Sequence, residues 1–158
     1  MKKYLITTLL LLLVSMGELC AQKLVIGSKV EGHNELTSLE WIGGTPQKDK
    51  TWIIDFFSSA NPTAVRFYEE HLPRVSDLVG DEVEIIIVTT RGDDDFFELA
   101  SNDGDKYHFV IDGNAELFKL LQVKFIPYTV VIDKNGKILW QGNLSDLDHK
   151  IIKGTSKT

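Results

Sequence analysis

TWIIDFFSSANPTA, Thr51 to Ala64, is the stretch on which the reading of the whole chain turns. Its first half is apolar, aromatic and β-branched, interrupted only by Asp55. Such a run, bounded by Ser58-Ser59, reads as a strand buried on both faces. Asn61-Pro62 then opens a helix: Asn is a good N-cap, and proline suits the first helical position, where no N–H donor is needed. A buried strand feeding a helix sets the direction of the fold.

Downstream, Val65, Phe67, Tyr68, His71, Leu72, Val75, Leu78 and Val79 recur near helical spacing, and Gly80 suits the helix end. Pro73 is expected to bend this helix, because it removes one backbone bond and crowds the preceding turn. Val83–Thr89 is a second continuous apolar run, the pattern of a strand inside a parallel sheet. Strand, helix and strand make a βαβ unit. Asp93-Asp94-Asp95 places acid on the positive end of a short helix carrying Phe96, Phe97, Leu99 and Ala100. Asn102–Asp105 reads as a turn, Tyr107–Ile111 as a strand, and Asn114–Val123 as a further short helix with Leu117, Leu120 and Leu121 inward. Tyr128–Ile132 and Ile138–Trp140 are joined by Asp133-Lys134-Asn135-Gly136, a strong hairpin signal. Ser145 is expected to cap a last helix holding Leu147, Ile151 and Ile152. Upstream, Lys23–Val30 alternates weakly and reads as an edge strand, and Glu31–Asn34 as a polar turn. The expected architecture is α/β: a central mixed sheet covered by helices on both faces, with a helix–strand insertion between the βαβ unit and the C-terminal hairpin.

Three places resemble the thioredoxin-like superfamily, and within it the exported TlpA/ResA-type thiol–disulfide oxidoreductases and redoxins. Ile54-Asp55-Phe56-Phe57 looks like the strand that leads into the active site of that family. Val123–Thr129, VKFIPYT, looks like the loop bearing a cis-proline that faces the cysteine pair and shapes a peptide groove. Val130–Gly142, VVIDKNGKILWQG, looks like the closing hairpin. The 66 positions from Asn61 to Pro127 suit the branch with a central insertion, and Leu39–Gly44 looks like the segment leading into such a domain. The resemblance covers nearly all of the chain after residue 21.

The resemblance implies thiol–disulfide exchange, in which a thiolate at a helix N-terminus attacks a disulfide and a second thiol resolves the intermediate. Counted without a gap, Asn61 and Ala64 stand where the two cysteines belong; with a one-residue gap, Ala60 and Thr63 do. Neither register supplies sulfur, so no catalytic residue is assigned. By the same resemblance, Asp55 matches a buried aspartate that moves a proton to the resolving cysteine. With no cysteine to serve, Asp55 reads as a buried carboxyl, hydrogen-bonded or held protonated by burial. Pro127 is expected to be cis, leaving a groove formed by Ser59, Ala60, Asn61, Pro62, Ile126 and Pro127. His33, His71, His108 and His149 lack ligand spacing and Asp93–Asp95 lacks a calcium-loop pattern, so no metal and no cofactor are expected. Ser58-Ser59 lacks the surroundings of a catalytic serine.

The N-terminus reads as a secretory signal peptide over residues 1–21: Lys2-Lys3, an apolar run from Leu5 to Met16, and Ala21 before Gln22. One domain follows over 22–158. The only cysteine, Cys20, falls in the signal segment and is a poor lipid-attachment site, since Leu19 precedes it. A membrane attachment is expected only if Cys20 is lipidated. The formal net charge of −6 becomes more negative on loss of the signal segment, which disfavours nucleic acid and anionic membrane as partners. The function expected is that of an envelope protein, redox-inactive, which binds a peptide or partner protein in the groove. The alternatives are an oxidoreductase role with thiols supplied by a partner, or a purely structural role.

Overall fold

The computed structural model describes residues 24–148 and 150–152. The expected signal segment, with Cys20, lies outside the described residues. Six strands form one sheet: β1 (Glu40–Ile42), β2 (Thr51–Phe56), β3 (Val83–Thr89), β4 (His108–Ile111), β5 (Tyr128–Ile132) and β6 (Ile138–Gly142). Their spatial order is β1-β4-β3-β2-β5-β6. The Thr51–Phe56 run lies at the centre, parallel to β3 and antiparallel to β5, with Asp55 opposite Thr129. Strand β4 runs parallel to β3, and β1 pairs antiparallel on its outer side.

Alternation along β2 divides the core. Ile53 and Phe57 join one apolar layer with Ala64, Tyr68, Leu72, Val75 and Phe96. Ile54 and Phe56 join the opposite layer with Leu117, Leu121 and Leu24. Helices α1 (Pro62–Glu70), α2 (Leu72–Leu78) and α3 (Asp94–Asp103) therefore cover the first face, and α4 (Glu116–Leu120) the second. This is the two-faced layering that strands buried on both sides demand.

Several elements differ from expectation. The helix after Pro62 breaks at His71 instead of bending: Pro73 falls in the first turn of α2, where its missing N–H is harmless, so the chain restarts a helix there. Helix α3 runs on through Asn102 and Asp103. Helix α4 is shorter than Asn114–Val123. Its backbone donors are satisfied by Asp112, a fully buried carboxylate that accepts from the N–H groups of Glu116, Leu117 and Phe118 at 2.8–3.1 Å. The 24–30 segment is no strand. It makes a single bridge from Lys29 to Lys137, with Gly27 and Ser28 bonded to Ile138. In the expected polar turn, His33 is buried edge-on against Trp52 at 5.2 Å. Ser145 sits in a 3₁₀ turn, Leu144–Asp146, and the following helical turn is capped by Asp148, which accepts from Lys150 and Ile151.

The hairpin forms as expected. Asp133 accepts from Gly136, and Gly136 takes a left-handed conformation at φ 84°, the bulged form of a short hairpin turn. His108 closes the other side of the sheet. One ring nitrogen faces Gly44 O at 3.0 Å and the other lies 2.7 Å from Glu84, which also pairs with Lys50 at 3.1 Å. These contacts pin the segment leading into β2, and with it the position of the β2 end.

Candidate functional site

The site lies where β2 runs into α1 and the loop before β5 faces it. Asn61 is the N-cap of α1: its Oδ1 accepts from the N–H of Thr63 at 3.0 Å and of Ala64 at 3.2 Å. Its Nδ2 donates to the carbonyl of Ile126 at 3.0 Å. Ile126–Pro127 is a cis peptide bond. One carboxamide therefore satisfies two donors of the helix end and ties that end to the proline loop 65 positions away. Ala64 is buried in the core, whereas Ala60, Pro62 and Thr63 are exposed and Ser59 is half-buried. Asn61 thus faces the proline loop and Ala64 the core, whereas Ala60 and Thr63 face solvent.

Ser59 donates a hydrogen bond to the Asp93 carboxylate, which also caps α3 through the N–H of Phe96. The Ser59 hydroxyl first, and the Phe96 N–H second, hold the Asp93 carboxyl below its ordinary range. Ser59 is thus committed as a donor to a carboxylate whose lowered pKa makes it a poor base.

Beneath the helix start, Asp55 is 1% exposed and accepts from the hydroxyl of Thr129 at 2.7 Å. Burial pushes its carboxyl up to about 6, and the Thr129 hydrogen bond opposes only part of that rise. Lys50, the nearest cation before it in sequence, is engaged with Glu84.

The groove has one feature that periodicity did not reveal. Phe125 is 68% exposed, the most exposed large apolar side chain among the described residues. With Phe57, Phe118 and Ile126 it borders a cleft of about 170 Å³, open beside Ser58 and Thr90. The signal was present in the sequence, since Lys124-Phe125 immediately precedes Ile126-Pro127. What was missing was the direction of the side chain. Thr129, the partner of Asp55, was readable only from the β2–β5 register. The residues expected to form the groove are thus brought together in part: Asn61 touches Ile126 directly, while Ser59 turns to Asp93.

A family model for Redoxin matches residues 44–154. The chain belongs to the Redoxin family. Among solved structures, it resembles the thioredoxin domain of a thiol-disulfide oxidoreductase from Bacteroides vulgatus, with 18% identity over 85% of this chain and 96% of that one, at a TM-score of 0.58. It also resembles the exposed lipoprotein thioredoxin of Streptococcus pneumoniae, with 21% identity over 70% and 85% of the two chains, at a TM-score of 0.52. A thioredoxin-like protein from Aeropyrum pernix matches with 18% identity over 71% and 79%, at a TM-score of 0.55. At these identities the likeness is one of fold. No curated protein matches the chain.

Proposed function

We propose that this redoxin-family chain is redox-silent and acts as a binding module for extended peptide segments of envelope proteins. The observation that carries the reading is the Asn61 carboxamide. Where thiol chemistry needs a sulfur, this chain has an amide that holds the groove walls together through Ile126 O and the α1 cap. The chain's one cysteine, Cys20, stands outside residues 44–154, the part that matches the family. Disulfide exchange needs a thiolate, and no residue of the groove supplies one. The exposed Phe125 ring and its adjoining cleft offer a seat for one apolar side chain of a bound peptide. Export to the envelope is part of the proposal and rests on the N-terminal pattern. Among the described residues no helix is long and apolar enough to cross a membrane.

Selection from a library of displayed 12-residue peptides, followed by fluorescence anisotropy on the selected sequences, tests the reading. Binding is expected to weaken at least tenfold in Phe125→Ala, which removes the seat, and in Thr90→Tyr, which fills the cleft from an exposed position. Purified protein should reduce insulin with dithiothreitol no faster than buffer. Failure to select any peptide, or binders indifferent to both substitutions, would overturn the binding role. Faster insulin reduction would overturn redox silence.

A further inference from the structure

Beside the groove cleft, along the residues that lead into the proline loop, lies a second pocket of about 310 Å³. Leu24, Leu121, Phe125 and Tyr128 give it apolar walls, and Gln122, Lys124 and Gln141 are its polar members. Leu24 and Leu121 belong to the apolar layer on the sheet face covered by α4. Its size falls at the lower end of small-molecule sites, and its make-up, apolar walls with a few polar groups, is theirs.

Two of the lining residues, Tyr128 and Gln141, already bind each other. Tyr128 donates to Gln141 Oε1 at 3.1 Å, and Gln141 Nε2 donates to Leu24 O at 2.9 Å. These bonds brace the walls. Lys124 differs: it is exposed and forms no ion pair among the described residues. Gln122 differs too. It ends α4 in a left-handed conformation at φ 52°, with its N–H bonded to Lys119 O and the next N–H, of Val123, to Phe118 O. This helix-ending motif normally uses glycine, because a side chain there is strained. The chain instead carries a long amide at that position, and the amide lines the pocket. A strained residue that borders a cavity is an observed outlier pointing to a function.

We propose that this pocket binds a small monocarboxylate with an aromatic or branched apolar body, its carboxylate held by Lys124 and Gln122. A single ammonium with a neighbouring amide donor matches one carboxylate. The apolar walls match a body about the size of a phenyl ring. The pocket adjoins the groove cleft, with which it shares Lys124 and Phe125, while Gln122, Tyr128 and Gln141 border the pocket alone.

The probes are 3-phenylpropionate, 4-methylpentanoate and the uncharged 3-phenylpropionamide, titrated into ¹⁵N-labelled protein and followed by amide shifts. The carboxylates are expected to move the signals of Gln122, Tyr128 and Gln141, and to bind at least fivefold more tightly than the amide. Lys124→Met should abolish that preference. Gln122→Gly should weaken carboxylate binding while its thermal midpoint stays equal to or above that of the wild type, which a merely structural role would not produce. Thr90→Tyr, placed in the groove cleft, should leave carboxylate binding unchanged, so the groove and the pocket are judged separately. Equal binding of acid and amide, shifts confined to Phe57, Ser58 and Thr90, no shifts at all, a lowered midpoint in Gln122→Gly, or response only to peptides would each overturn the proposal.

Discussion

Asp55 shows what burial does to a single carboxyl. Its position in β2 is dictated by the strand, and the strand is buried, so the carboxyl is desolvated whatever its use. One hydroxyl, that of Thr129, is the partner it has. A folded-state value near 6 against an ordinary 3.8 means that the native state holds the proton more tightly than the unfolded chain. That contribution to stability is complete below about pH 3.8, falls as pH rises towards 6, and is gone above it. The loss amounts to roughly 3 kcal/mol between the two plateaus at ~1.4 kcal/mol per unit. Asp55→Asn keeps an acceptor for Thr129 and removes the titration. Urea melts at pH 4 and pH 8 should show the wild type losing stability between the two, with the variant nearly flat and more stable at pH 8 by about 1–3 kcal/mol. A variant several kcal/mol less stable at pH 8 would place a compensating cation beside the carboxylate.

At the scale of elements, the helix ends were only partly legible. Asn61-Pro62 named the start of α1 correctly, because the cap and its two N–H partners lie within three residues. The stop was missed. Pro73 forbids one bond wherever it sits, but whether the chain bends or restarts depends on the packing of Leu72 and Val75 against the sheet. The start of α4 was missed for a related reason. The position before the helix is Ala115, left-handed and without a side-chain cap, and Asp112 reaches in from the end of β4 to accept three N–H groups. Asp112→Ala would leave those donors without a partner in a buried setting. Unsatisfied donors cost about 1–3 kcal/mol each, so a loss on the order of 3–5 kcal/mol is expected. Urea denaturation at pH 7 measures it, and a loss below about 1 kcal/mol would mean that water replaces the carboxylate.

At the scale of the whole molecule, the export pattern makes a direct prediction. N-terminal sequencing of protein recovered from the envelope fraction should begin at Gln22; a chain beginning at a lipid-bearing Cys20 would contradict it. The βαβ unit, the central place of Thr51–Phe56, the closing hairpin and the absence of a cysteine pair all follow from the sequence by itself. Each rests on local chemistry: runs of apolar residues, a capping Asn-Pro, an Asn-Gly turn, and residue identity, which needs no coordinates. Only the tertiary structure decided what touches what. The weakly alternating 24–30 segment lost its place as a strand because buried Leu24 and Val30 pack against the α4 layer, and its backbone forms a single bridge, Lys29 to Lys137, beside scattered bonds to Gly136, Ile138 and Gln141. Asn61 gained a second role, and Asp55 gained Thr129, across 65 and 74 positions. Pairings that distant depend on strand register and on how helices seat on the sheet. Both are settled by the burial of the whole apolar core, not by any one segment.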